Sequence, residues 1–231
     1  MIAPLTEFAP DLWVGEGPVV SFYTFAYPTR MAAIRLKNNG LFIWSPIALT
    51  PALKSQIDSL GEVSCLISPN LLHHLYLGEW KAAYPQARLF ASPGLRRRRK
   101  DLAFDDDLRD APDPLWADEI DQVLLHGSFA LTEAIFFHRS SRTAIFTDTL
   151  QNFPPDWFKG WRGVVARLDG LVAPNPGAPR ELRASFLRRR LARKSFQRIL
   201  DWGIERVLIA HGGCVKKDGE AFVRKAFSWL I

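Results

Sequence analysis

The chain has 231 residues, nearly half of them apolar and about a quarter charged, which is the composition of a folded domain with a sizeable core rather than a disordered or fibrous chain. No apolar run approaches the ~20 residues that span a bilayer, the start Met1-Ile2-Ala3-Pro4-Leu5 lacks the basic and apolar regions of a secretory signal, and two cysteines make no disulfide framework. These features predict a single cytoplasmic domain over residues 1–231 with no membrane partner. The net charge of +6 is uneven. Arg96–Lys100 is a run of bases more than cancelled by the acidic stretch that follows, whereas the bases between Arg180 and Arg198 are not cancelled locally.

In chain order, Met31–Leu36 and Leu41–Trp44 flank Asn39-Gly40 and predict a β-hairpin. Thr50-Pro51 is a capping residue followed by a first-turn proline. Leu53, Ile57 and Leu60 then recur at helical spacing up to Gly61. Val63–Ile67 is a buried strand, residues 72–84 a helix stopped by Pro85, and Arg88–Ala91 another strand. Residues 95–119 are charged and contain prolines, and predict a long surface excursion. Gln122–Leu125, Ala134–His138 and Thr143–Phe146 are strand-like, the last two joined by a turn at Arg139–Arg142. The stretch 152–177 is rich in Pro, Gly and Trp and predicts loop with a short helix. A long amphipathic helix is expected over Arg180–Trp202, with Leu182, Phe186, Leu191, Phe196 and Ile199 on one side, then a strand at Val207–Ala210 and a helix at Glu220–Leu230. Hairpins mixed with strand–helix units predict a layered α/β protein with mixed sheets. No Gly-rich phosphate loop and no G-x-S-x-G elbow is present.

Three of these strands deliver ionisable residues at their ends. Val63–Ile67 is followed by Ser68-Pro69-Asn70-Leu71-Leu72-His73-His74, Thr143–Phe146 by Thr147-Asp148, and Val207–Ala210 by His211-Gly212-Gly213. Imidazole and carboxylate are the usual ligands of zinc, iron and manganese. His73, His74, Asp148 and His211 are therefore candidate ligands of one convergent site, against the plainer roles of helix caps and turn residues. His126, Glu133 and His138 form a weaker set. Glu133 is a candidate acid, ligand or support for a histidine, and His138 beside Arg139 fits a structural role. Trp80, Trp157 and Trp161 are candidates for a cleft wall or for core. The aromatic residues of the basic helix fall on its docked side, leaving no stacking platform, so nucleic acid is not an expected partner.

The order of hairpin, helix, strand, His-rich turn, strand–Asp and strand–His resembles the metallo-β-lactamase superfamily, whose signature is H-x-H-x-D-H followed by a His, an Asp and a His. More closely, the chain resembles an uncharacterised branch grouped as a domain of unknown function. That resemblance rests on Leu41-Phe42-Ile43-Trp44-Ser45-Pro46, Ser68-Pro69-Asn70, His73-His74-Leu75-Tyr76-Leu77-Gly78-Glu79-Trp80, Ser92-Pro93-Gly94-Leu95, Glu133–His138 and Ile209-Ala210-His211-Gly212.

The resemblance implies a four-layer αβ/βα sandwich with a metal site at the edge of its packed sheets. Placing His74 on the final His of the signature puts His73 where the Asp stands, and Pro69 and Leu71 where the first two His stand. Asp148 then matches the bridging Asp and His211 the last His. With two ligands replaced, the implied site holds a single divalent metal, zinc or else iron or manganese, in a set of His73, His74, Asp148, His211 and His126. Asp148 and Glu133 carry the catalytic roles. The implied activity is metal-dependent hydrolysis of a small-molecule substrate. The alternatives are a non-catalytic binding protein on the same fold, or a nucleic-acid processing protein.

Overall fold

The computed structural model describes residues 4–231, so the expectation for the first residues lies outside it. Period-2 alternation sorts the strand side chains onto two faces. In β4 (Gly40–Trp44), Phe42 and Trp44 point into one cluster and Leu41 and Ile43 into another. In β9 (Glu133–His138), Ala134 and Phe136 face the first cluster while Ile135 and Phe137 face a third. The shared cluster is the sandwich interior, where Phe42 meets Phe136 with ring centroids 5.3 Å apart. Burying each such large side chain contributes about 1.5–3 kcal/mol.

One sheet has seven strands in sequence order: β1 (Thr6–Ala9), β2 (Leu12–Phe22), β3 (Phe25–Arg35), β4, β5 (Glu62–Ile67), β6 (Arg88–Ala91) and β7 (Asp106–Asp107). The first four are antiparallel, and β4 through β7 are parallel. The other sheet has four strands in the order β11 (Arg206–Ile209), β10 (Thr143–Phe146), β9, β8 (Ile120–Leu125). The β10–β11 pair is parallel and the rest antiparallel.

The helices α1 (Pro51–Leu60) and α2 (Leu77–Ala83) cover the outer face of the first sheet through Leu53, Ile57, Leu77 and Trp80. The Thr50 hydroxyl accepts the Leu53 N–H at 3.2 Å, as the capping pattern predicts. The outer face of the second sheet is covered by α6 (Arg189–Leu200) and α7 (Gly219–Ala226). The layers are thus helix, sheet, sheet, helix. Three further helices, α3 (Leu95–Arg98), α4 (Gly160–Leu168) and α5 (Arg180–Ala184), lie in the connections.

Several expectations change. The helix predicted from Leu72 begins only at Leu77, because residues 70–76 are held as a turn. Residues 95–119 are not a surface excursion throughout: Leu95, Leu108 and Trp116 are buried, and Trp116 packs on Phe42 and Phe90. The basic segment Arg180–Trp202 is two helices. Between them the Ser185 hydroxyl bonds to the Leu182 carbonyl and to Ser128, while Arg188 N–H bonds to Gly127, which bends the chain around residues 127–128.

Candidate metal centre

Three connections converge at one edge of the sandwich. The turn after β5 carries His73, the residues after β10 carry Asp148, and the residues after β11 carry His211. Ligand atoms of these three lie within 4.8 Å of one another. His73 Nε2 is 3.3 Å from Asp148 Oδ2, and His211 Nε2 is 3.5 Å from Asp148 Oδ1. The two imidazoles are 5.2 Å apart between centroids. All three side chains are at most a tenth exposed.

Each ring is oriented from behind. His211 Nδ1 lies 2.9 Å from the Pro28 carbonyl, which can only accept, so Nδ1 carries a proton. Nε2 of the same ring faces the Asp148 carboxylate. His73 Nδ1 is 2.7 Å from the Ser45 hydroxyl. The ring of Tyr27 packs edge-on against His211 at 5.0 Å, and Phe153 stacks beyond it at 6.5 Å.

Asn70 binds both halves of the centre. Its Nδ2 donates to Asp148 Oδ2 at 2.6 Å and to Thr147 Oγ1 at 2.8 Å, and its Oδ1 accepts the N–H groups of Leu72 and His73. Beneath Asp148, the Glu133 carboxylate accepts the N–H groups of Thr147, Asp148 and Thr149 at 2.6–2.9 Å. Burial opposes the charge on Asp148, but the attraction of His73 and the hydrogen bonds from both imidazoles outweigh it and hold that carboxyl well below the usual range. For Glu133, burial and then the nearby Asp148 charge push the carboxyl upward, and the backbone donors only partly offset them. Arg30 secures the third connection. Its guanidinium donates to the Ile209 carbonyl, to the Gly212 carbonyl at 2.7 Å and to Cys214 Sγ at 3.2 Å, and pairs with Glu16 at 2.7 Å.

Other expected residues fall elsewhere. His74 turns to Arg99, whose guanidinium lies 3.2 Å from its Nδ1 and donates to its carbonyl at 2.6 Å. Burial, then the charges of Arg98 and Arg99, lower its pKa to about 4. His126 pairs with Asp110 at 2.7 Å, alongside Arg198 and Lys194 of α6, so it rebuilds no second half of the centre. Glu133 has both oxygens occupied by backbone donors and lies beneath Asp148 rather than among the converging ligand atoms. His138 bonds Ser141 and Ser140 at the β9–β10 turn. Trp80 is fully buried against the Ile47 carbonyl, whereas Trp161 is exposed.

The structure brings one of the two adjacent histidines into the cluster. It is His73, not His74, that faces Asp148, and aligning the final His of H-x-H-x-D-H on His73 would put Ser68 and Asn70 where the first two His stand. Asn70, Ser45, Tyr27 and Arg30 were not candidates from sequence. The one signal for Asn70 was its place in Ser68-Pro69-Asn70, two residues before the His-bearing turn.

The fold is that of the metallo-β-lactamases. The chain matches a metallo-β-lactamase from Pontibacter korlensis at 8% identity and a TM-score of 0.65, covering 100% of this chain and 99% of that one. It matches the metallo-β-lactamase FIM-1 from Pseudomonas aeruginosa, in its mono-zinc form, at 8% identity and 0.64, covering 100% and 96%. Rubredoxin oxygen:oxidoreductase from Desulfovibrio gigas matches at 11% and 0.66, covering 98% of this chain and 61% of that one. No curated protein matches by sequence. Residues 17–161 match the family described as Domain of unknown function (DUF4336), and the chain belongs to that family.

Proposed function

We propose that His73, Asp148 and His211 hold one divalent metal ion and that the protein is a metal-dependent hydrolase of a small-molecule substrate. The observation that carries the reading is the convergence of one donor atom from each of His73, Asp148 and His211 within 4.8 Å of one another. The His211 Nδ1–H is committed to the Pro28 carbonyl, which leaves Nε2 facing the carboxylate at 3.5 Å. Two imidazole nitrogens and one carboxylate form a donor set suited to zinc, and equally to iron or manganese. The mono-zinc form of FIM-1 is a precedent for one ion on this fold.

A divalent ion in such a set lowers the pKa of water to about 7 and polarises a carbonyl or phosphoryl oxygen. The chain's own residues supply orientation. Pro28 and Ser45 fix the imidazole rings, Asn70 locks the His73 turn to the Asp148 carboxylate, and Glu133 holds the backbone that presents Asp148. Tyr27 and Phe153 keep an apolar wall against His211. With Ser68 and Asn70 where the superfamily signature has histidines, the donor set favours one ion over two.

The test is metal analysis of protein purified without chelator or His-tag, paired with chromogenic ester and phosphodiester substrates. About one ion per chain, lost in D148N and H211A, supports the metal centre. Hydrolysis that disappears on chelation and returns with metal supports the enzyme. Metal content equal in wild type and both variants overturns the first, and a loaded protein inert to every substrate leaves the binding-protein alternative.

A further inference from the structure

Helix α4 is built inside out. Trp161, Val164, Val165 and Leu168 recur at i, i+3, i+4 and i+7, the spacing of a face that ordinarily docks on the core. Here that face meets solvent, with each of the four between 36 and 60% exposed. The helix instead turns Gly163 and Ala166 inward. A Cβ at Gly163 would lie 2.6 Å from the Phe158 carbonyl, so the close approach requires glycine there and fixes which side of α4 is inward.

The tip of the β2–β3 hairpin continues this surface. From Gly17 to Ala26 no residue is charged, and Phe22 and Tyr23 are exposed, Tyr23 by 83%. The two elements are fastened together. Phe25 packs on Trp161 at 5.6 Å, Arg162 donates to the Thr24 carbonyl at 2.9 Å, and Trp157 Nε1 donates to the Ala26 carbonyl at 2.9 Å. Positive charge frames the patch: Lys159 precedes α4, and Arg162 and Arg167 lie on it, with no acid in the helix. Asp156 and Asp169 stand beyond its two ends. Arg162 also sits 4.7 Å from the Trp161 ring centroid.

We propose that α4 and the hairpin tip form a docking surface for a lipid bilayer that carries anionic headgroups. The apolar stripe enters the boundary between headgroups and acyl chains, and Lys159, Arg162 and Arg167 meet lipid phosphates. Interfacial helices pair an apolar face with basic residues, and tryptophan and tyrosine favour that boundary. A second copy of the chain fits less well, because a two-fold pairing of this face would set its bases against one another. No helix among the described residues is long and apolar enough to cross a membrane. Lying on a bilayer needs no such helix, so the expectation of no membrane partner, drawn from spanning length, does not bear on this surface. The proposal is independent of the metal centre.

The test is cosedimentation at near-physiological salt with phosphatidylcholine vesicles containing 30 mol%, roughly, of phosphatidylglycerol, and with pure phosphatidylcholine. Wild type should pellet with the anionic vesicles and less with the neutral ones. V164D/L168D should lower the partition coefficient by about tenfold or more, and K159E/R167E by several-fold. These sites are exposed, and unchanged circular dichroism and melting would confirm folding. No wild-type binding at millimolar lipid, or equal binding by V164D/L168D, overturns the proposal. So does a concentration-dependent dimer, seen by light scattering, that V164D/L168D abolishes.

Discussion

Glu133 reaches under Asp148 and accepts its backbone N–H at 2.9 Å, while the same carboxylate takes the N–H groups on either side. A fully buried acid thus fixes the peptide planes that aim another acid at two imidazoles. E133Q keeps the shape but turns an amide N–H₂ toward backbone donors. We expect a loss of about 1–3 kcal/mol in stability, read by urea denaturation. Metal affinity should fall about 10–100-fold as the carboxylate it positions loosens. An unchanged metal titration in a folded E133Q would separate Glu133 from the centre.

His73 and His74 are neighbours with opposite environments, which predicts opposite phenotypes. H73A should lose metal content, and H74A should retain it within about twofold, since His74 faces Arg99. Elemental analysis of the two variants side by side decides the register. Loss in H74A with retention in H73A would restore the alignment expected from sequence.

Metal bound only by the native state raises stability by RT ln(1 + [M]/Kd), about 2.7 kcal/mol at a hundredfold excess over Kd. For a chain of this size 1 kcal/mol corresponds to about 2–4 °C in Tm. Adding zinc to chelator-stripped wild type should therefore raise Tm by several degrees, and the same addition to D148N should not. Equal shifts in both would place the ion elsewhere.

His138 is buried beside Ser140 and Ser141, and burial lowers its pKa to about 4 from an ordinary 6.5. Between those values the unfolded chain binds more protons than the native one. Stability is therefore complete above pH ~6.5 and falls toward pH ~4, by at most about 1.4 kcal/mol per pH unit for one such group. His74, lowered in the same direction, adds to the slope. H138Q should show a shallower decline in urea midpoint over that window, and parallel curves would show that the His138 proton is not linked to folding.

The convergence of the three connections was legible because each follows a short apolar strand that ends in a histidine or acid. Which histidine faces inward was not. That choice is made by Asn70, whose carbonyl oxygen accepts N–H groups of Leu72 and His73 while its amide reaches Asp148, a contact between residues remote in sequence. Strand β2 is not among the sequence-predicted elements, and Gly15, Gly17 and Pro18 within it are residues that local propensity disfavours in a strand. In the fold the strand carries a register shift between Glu16 and Val19, an irregularity of the kind that accommodates a proline such as Pro18. The basic helix was read as one element because its apolar spacing runs through Ser185. The break depends on bonds to Gly127 and Ser128, which local periodicity does not contain.

His73 belongs to the first sheet's connections, while Asp148 and His211 belong to the second's. The centre therefore does not exist in either half of the chain alone. During synthesis the first sheet can form its strand pairs from local contacts, but the cluster must wait until β11, the last strand of the second sheet in sequence, is docked. Assembly of the centre is in effect a late checkpoint on folding. A chain that stops before β11 lacks His211, so the three-residue cluster forms only when both sheets are in place.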